Sequence, residues 1–318
     1  MNNFKKIGLT ALAASLVSVS AYAGEMSVAG GASITIKNNS GTDGGKNITM
    51  GNQLTFTGGG ELDNGLNVAL SFVLDHADNV ASGFDSHSIT VSSDSLGSIT
   101  VAGDGTGNAQ SALDTTAAGD IWNNGFTHGA VVSYVPMGGS TADNNKSVNY
   151  TLPTMMDGLS LAASYSGTTT AIKSTTAFGA TYTGVEGLSV SYGVGENGST
   201  VATTQADVTT MKASYALGSF TAAVSNTEND RGSTGIDEEL SSFKLSYTVS
   251  DDLSVSYGEE THETSAQTVD EEFDAISVSY TTGGMTITAA QYDAKGLNNV
   301  AGALGEAARW KLSTSFAF

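Results

Sequence analysis

The sequence predicts an all-β protein, a 16-stranded antiparallel transmembrane β-barrel. Three observations predict this fold. A hairpin of alternating apolar and polar residues recurs along the chain, only 2 prolines interrupt its 318 residues, and the strands add up to an even number. Alternation with period two indicates strands that have one apolar and one polar face. An even number of strands lets the first and last pair antiparallel, which closes the sheet.

The repeating hairpin is clearest between Thr175 and Val194. Apolar residues alternate with small or polar residues on both sides of a turn at residues 184–187. Helical repeats of similar length would place apolar residues three and four apart, so this is a β repeat. A tyrosine returns shortly before each turn, at Tyr150, Tyr182, Tyr215, Tyr247 and Tyr280.

The other elements follow the same pattern. A first strand at 26–37 precedes seven hairpins, and a last strand lies at 307–318. The turns inside the hairpins are short, whereas the connections between hairpins are longer and more acidic, which is typical of membrane barrels with short periplasmic turns and long outer loops. The hairpins are predicted at 48–59 with 66–74, 88–93 with 99–103, 147–154 with 159–167, 175–183 with 188–196, 208–217 with 219–226, 241–249 with 253–261 and 273–282 with 285–293.

One connection, residues 104–146, is much longer than the others. Its only strand-like run is 130–135, and counting that run in the wall would give seventeen strands. We therefore place it in the loop or outside the wall. Loops of this length in a regular fold are usually functional or disordered. Residues 108–118 could form a short helix, and Trp122 and Phe126 offer side chains that the loop can bury.

The N-terminal residues predict a signal peptide at 1–23, which leaves 24–318 as the barrel. Lys5 and Lys6 precede an apolar run at 7–19, and Ala21 and Ala23 fit a small-residue cleavage site. The chain has 12 Lys and Arg, 32 Asp and Glu, a net charge of -20 and no cysteine. Disulfides therefore do not hold this fold, and the acidic balance argues against nucleic-acid binding.

The two faces of the strands predict a water-filled interior. Tyrosines near the turns match the aromatic girdle of a membrane interface, which favours a membrane barrel over a water-soluble barrel or β-sandwich. The polar register is mostly Ser, Thr, Gly and Ala, and sixteen strands enclose a space too wide for such side chains to fill. These features predict passage of small solutes down their gradients.

The end of the chain and several hairpins resemble a known family. Phe318, with Phe316 two residues before it, resembles the assembly signal of outer-membrane barrels. Residues 53–72 (QLTFTGGGELDNGLNVALSF) and 87–104 (HSITVSSDSLGSITVAGD) resemble the Rhodobacter-type general porins of alphaproteobacteria. The resemblance implies a homotrimer in the lipid of the Gram-negative outer membrane, delivered by the barrel assembly machinery. It also implies no cofactor, and a third loop that folds inward as a constriction at 104–146.

In this family, acids on the inward loop oppose bases on the facing wall, and the resulting field sorts ions by charge. Because acids outnumber bases, we expect a mild preference for cations. The candidate acids on the loop are Asp104, Asp114 and Asp120. The candidate bases in the inward register are Lys37, Lys212, Lys244, Arg309 and Lys311.

The sequence gives less support to three other functions. A substrate-selective channel would need a solute site such as a path of aromatic residues, and a structural or adhesive surface protein would rest on the richness in Ser, Thr and Gly alone. An enzyme is not expected, because no catalytic arrangement can be picked out around the four histidines, His76, His87, His128 and His262. Carboxylates of the acidic outer loops suit Ca²⁺, but solvated charge is the simpler interpretation.

Overall fold

A computed structural model of the chain describes residues 25–39, 45–75, 86–104, 107–126, 147–167, 173–197, 206–232 and 235–318. Sixteen antiparallel strands form one closed barrel in which sequence neighbours pair and β1 pairs with β16. The fold prediction is therefore confirmed. The predicted signal peptide and the run at 130–135 lie outside the described residues.

The strands are β1 (Glu25–Asn39), β2 (Gly45–Glu61), β3 (Asn67–Asp75), β4 (Ser86–Ser93), β5 (Gly97–Asp104), β6 (Ser147–Thr151), β7 (Leu159–Ser166), β8 (Thr175–Tyr182), β9 (Leu188–Asn197), β10 (Ala206–Leu217), β11 (Phe220–Asp230), β12 (Glu238–Thr248), β13 (Leu253–Thr264), β14 (Glu271–Thr282), β15 (Met285–Lys295) and β16 (Ala307–Ala317).

Alternation along each strand separates an apolar outer face from a polar inner face. Residues directly opposite each other in the ladder share a face, so Val224 and Phe243 point outward together, whereas Ser225 and Ser242 point inward. The outer face exposes many large apolar side chains, as expected of a wall that meets lipid. The repeating tyrosines also lie in the outward register, where Tyr247 packs on Phe220 with ring centroids 4.7 Å apart.

The two ends of the chain close the barrel. Gly30 N donates to Phe318 O at 2.7 Å, and Phe318 N donates to Gly30 O at 3.0 Å. The Phe318 ring lies over Gly30, where any added Cβ would collide with it. Within the described ranges, no helix is both long and apolar enough to cross a membrane.

The segment 108–118 does not form a continuous helix. Only a single 3-10 turn, Ser111–Leu113, forms there. The physical reason is that the backbone N–H groups of Ala109, Ala117 and Ala118 donate to side chains of the barrel wall, and a continuous helix would bind most of those groups internally.

Candidate functional site

The long connection between β5 and β6 folds into the barrel. Its described part, residues 107–126, follows the inner surface of the sheet, and we call it the inner loop. Hydroxyl groups on β7, β10, β11 and β12 bind it. The contacts are Ala109 N to Ser164 Oγ (3.0 Å), Gln110 Nε2 to Thr210 Oγ1 (2.8 Å), Ala117 N to Ser225 Oγ (2.8 Å) and Ala118 N to Ser242 Oγ (2.9 Å). The prediction of an inward-folded third loop is confirmed.

We call the inner faces of β7–β14 the loop-bearing wall. Glycines on this wall let the inner loop approach closely. A Cβ on Gly258 would stand 2.9 Å from Ala118 Cβ, and a Cβ on Gly193 would stand 3.2 Å from Gln110 Cα. A Cβ on Gly179 would collide with the carbonyl oxygen of Ala109. Glycine within these strands therefore serves close approach of another backbone.

Glu260 on β13 anchors the middle of the inner loop. This side chain is 1% exposed. Its Oε2 accepts a hydrogen bond from Trp122 N at 2.9 Å, and its Oε1 accepts one from Thr116 Oγ1. A buried carboxylate needs donors of this kind, and charge-assisted bonds are stronger than neutral ones. Glu260 therefore ties two points of the inner loop to the wall.

Apolar packing fixes the far end of the inner loop. Ile121 and Phe126 are buried in a cluster with Phe273 of β14, and the rings of Phe126 and Phe273 lie 5.6 Å apart between centroids. Trp122 packs at the edge of this cluster. The remaining buried members of the cluster are Ala290, Tyr292, Ala294 and Leu297.

The loop acids occupy different environments. Asp104 is the last residue of β5. The pKa of the Asp114 carboxyl is raised to about 7, first by burial and then by the negative charge of Asp120, while the Lys212 ammonium opposes both effects. Asp120 Oδ1 accepts a hydrogen bond from Thr116 N at 3.0 Å, so this carboxylate stabilises a turn of the loop itself. Asp114 and Asp120 therefore lie close enough for their charges to interact.

The candidate bases fall into two groups along the inner loop. Lys212 Nζ donates to the carbonyl oxygen of Thr115 at 2.7 Å, and Lys244 faces inward on β12. Lys37, Arg309 and Lys311 lie at the other end of the loop, where Lys311 Nζ donates to Asn124 Oδ1 at 2.8 Å. The structure thus brings four of these bases beside the inner loop, and Lys212 lies next to Asp114 rather than across the barrel from it.

Comparison with protein families adds to this geometry. The family model described as Gram-negative porin matches residues 8–315. The chain belongs to this porin family. The resemblance inferred from the hairpins and the C-terminal phenylalanines is confirmed. Comparison with curated protein sequences found no match.

Solved structures of other porins share the fold. The chain is similar to the anion-selective porin of Comamonas acidovorans (TM-score 0.67, 15% identity, 93% of this chain and 100% of that one). It is also similar to OmpT of Vibrio cholerae in its trimer form (TM-score 0.69, 16% identity, 93% and 100%). A mutant of the Rh. blastica porin is similar too (TM-score 0.66, 13% identity, 92% and 100%). This porin is an outer-membrane channel protein, and its family consists of channels rather than enzymes.

The other side of the porin barrel faces the inner loop. In a ring of sixteen strands β3 lies opposite β11, so we call the inner faces of β2–β5 the opposite wall. Its hydroxyls pair with one another across strands, as Thr90 Oγ1 does with Thr100 Oγ1 at 2.8 Å. These two side chains are only half-buried, whereas Thr210 and Ser242 on the loop-bearing wall are buried.

Sequence reasoning missed Glu260 and the hydroxyls and glycines that receive the inner loop. Ser164, Ser225 and Ser242 look like ordinary members of the polar register. A signal for Glu260 was available in the run SYGEETHET, because residues 256, 258, 260 and 262 share the inward register. A carboxylate there, among small and hydroxyl residues, needs a partner inside the barrel.

Most of the acidic surplus lies elsewhere. Ten carboxylates point outward near the long-loop ends of β9–β15: Glu196, Asp207, Glu228, Asp230, Glu239, Glu259, Glu263, Glu272, Asp274 and Asp293. We call them the acidic rim. In the part of the chain that the structure describes, no group of three or more His, Cys, Asp or Glu side chains could hold a metal ion.

Two of the four histidines, His87 and His262, lie within the residues that the structure describes. His87 points outward on β4, opposite Phe72. His262 is buried inside β13, and its Nδ1 lies 3.6 Å from Glu271 Oε2. Near it, Arg231 Nη2 forms a buried salt bridge of 3.1 Å with Glu238 Oε2. These contacts hold neighbouring strands together near their long-loop ends. His76 and His128 lie outside the described residues.

Proposed function

We propose that this porin forms a water-filled channel for the passive diffusion of small hydrophilic solutes and ions, with residues 104–146 as its constriction. The observation that carries the proposal is the inner loop, which is held against one wall while a hydroxyl-lined wall lies across from it. A barrel of sixteen strands is too wide for side chains to fill. The passage for solutes runs between the inner loop and the opposite wall.

The proposed channel prefers cations mildly. Asp104, Asp114 and Asp120 supply negative charge along the constriction, and the acidic rim raises the local concentration of cations around the outer mouth. Asp114 carries only part of a charge near neutral pH, because its pKa is raised to about 7. The five inward bases oppose the acids, which keeps the preference small.

We further propose that the mature chain, 24–318, assembles as a homotrimer in outer-membrane lipid. The trimer form of the Vibrio cholerae relative supports this assembly. Phe316 and Phe318 act as the signal that the barrel assembly machinery recognises. Two measurements test these points. The N-terminal residue of protein isolated from outer membranes should be Gly24. A chain that lacks Phe318 should fail to insert into the outer membrane.

Conductance in a planar bilayer tests the channel. Refolded protein should give stable conductance steps that close in three equal parts, one for each subunit of the trimer. In a salt gradient, the reversal potential should have the sign that indicates a preference for cations. Replacing Asp114 and Asp120 by Asn should lower the cation preference, whereas replacing Asp252, in a short turn, should not. Folded and inserted protein that gives no steps would contradict the channel and favour a structural surface protein.

A further inference from the structure

A recess lies between the far end of the inner loop and strands β16 and β1. Its volume is about 280 Å³. Three basic side chains line it, Lys37 on β1 and Arg309 and Lys311 on β16. Thr35, Thr49 and Asn123 supply polar groups to the same recess.

The basic groups converge on one point. A Cβ built on Gly125 of the inner loop would lie 2.9 Å from Arg309 Nη1 and 3.7 Å from Lys37 Nζ. Both nitrogen atoms therefore lie close to the same glycine. Lys37 and Lys311 are directly opposite each other in the ladder between β1 and β16. Like charges directly opposite each other on one face destabilise a sheet.

No acid compensates this charge among the described residues. No salt bridge between described residues involves Lys37, Arg309 or Lys311, whereas Arg231 and His262 each lie beside a glutamate. The described partners of Arg309 and Lys311 are neutral: Lys311 Nζ binds Asn124 Oδ1, and the Arg309 guanidinium carbon lies 5.2 Å from the centre of the Phe126 ring.

Arg309 is the most constrained of the three. Its side chain is 6% exposed, and its Nε is buried without a hydrogen-bond partner in the described residues. Burying a cation without a counter-charge is costly. The chain has 12 Lys and Arg against 32 Asp and Glu, so carboxylates are plentiful, yet three bases share this recess without one.

We propose that this recess binds a small oxyanion, such as the phosphate or carboxylate group of a passing solute, between Lys37, Arg309 and Lys311. The planar guanidinium of arginine matches two oxygen atoms of such a group, and the lysines add point charges. Thr35, Thr49 and Asn123 offer donors for the remaining oxygen atoms. The recess has room for a phosphate and several waters, since a water occupies about 30 Å³ of liquid.

The inference rests on the proposed channel and deepens it. Anions that enter a mildly cation-preferring pore would pause at the end of the inner loop, beside the constriction. A bound oxyanion would neutralise part of the basic cluster. Its binding would therefore move the selectivity of the pore further toward cations.

Bilayer recording with added inorganic phosphate tests the recess. Conductance steps in phosphate-free KCl at pH 7 first establish that the protein forms a channel. Raising phosphate at constant ionic strength should then shift the reversal potential toward cations and saturate. In a Lys37→Gln/Lys311→Gln variant the half-saturating phosphate concentration should rise about tenfold or more, the size expected from losing charge-assisted hydrogen bonds.

The matched control is Lys46→Gln/Lys295→Gln, which removes two exposed lysines of the outer face and should leave the phosphate response unchanged. Arg309→Lys provides a second variant, which keeps the charge and loses the planar guanidinium. This variant should weaken the binding of phosphate more than the binding of chloride. A shift that does not saturate, or one that persists in both recess variants, would overturn the recess while leaving the channel intact. Absence of steps in plain KCl would instead overturn the channel.

Discussion

The loop-bearing wall and the opposite wall are built from the same small and hydroxyl residues, but their hydroxyls have different partners. On the loop-bearing wall, Ser164, Ser225 and Ser242 accept backbone N–H groups of the inner loop. On the opposite wall, Thr90 and Thr100 pair with each other across two strands. A polar inward register therefore marks the inside of this barrel without marking which part of it solutes meet.

The difference arises from a few positions on the loop-bearing wall. Gly179 and Gly193 remove the side chains that would keep the loop backbone away, and the hydrogen-bond donors to Glu260 among the described residues belong to the loop. Each of these features can be removed singly.

Glu260→Ala should release the inner loop. The substitution removes the acceptors for Trp122 N and Thr116 Oγ1, and hydrogen bonds to a charged group contribute about 1.5–3 kcal/mol each. Their loss should raise the released fraction more than about tenfold. Chymotrypsin should then cut refolded protein after Trp122 or Phe126, which is measured by mass spectrometry.

Glu259→Ala is the control for this variant. Glu259 is the preceding residue of β13, and its side chain points outward and is exposed. Cleavage should stay at the wild-type level in this variant. Equal cleavage in both variants would show that Glu260 does not hold the inner loop.

Gly179→Ala should loosen the start of the inner loop, whereas Gly51→Ala on the opposite wall should not. A Cβ on Gly179 meets the backbone oxygen of Ala109, but a Cβ on Gly51 meets only the Ser33 hydroxyl, at 2.9 Å. Overpacking costs about 1–3 kcal/mol. Faster hydrogen exchange at residues 109–113 measures the effect. Equal exchange in the two variants would contradict the close approach.

Asp114 should give the pore a pH dependence. Its pKa is about 7, so raising the pH through that value ionises the carboxyl and adds negative charge beside Lys212. The cation preference of the wild type should therefore increase from about pH 6 to about pH 8, over which the ionised fraction rises from roughly 10% to roughly 90%. Asp114→Asn should flatten the reversal potential over that range. An unchanged slope would assign the titration to another group.

The sequence predicted the barrel because alternation and turns are local properties. It placed the strands in the right order and number, and most boundaries lie within a few residues of the structure. The inward fold of the third loop came from the resemblance to a family. The contacts of the loop were not predictable, because Ser164 and Gly179 look like any other inward residue until a partner far along the chain meets them. The grouping of Lys37 with Arg309 and Lys311 likewise depends on the register in which β1 pairs with β16, which the prediction of closure alone does not give.

The size of the passage shows whether the inner loop narrows the barrel from one side, as we claim. The measurement is the bilayer conductance of wild type and Glu260→Ala with polyethylene glycols of graded size. A polymer that enters the passage reduces the conductance. We predict that the largest polymer able to enter is larger for Glu260→Ala than for the wild type, and that Glu259→Ala has the same limit as the wild type. The same size limit in wild type and Glu260→Ala, with chymotrypsin confirming loop release, would contradict the claim.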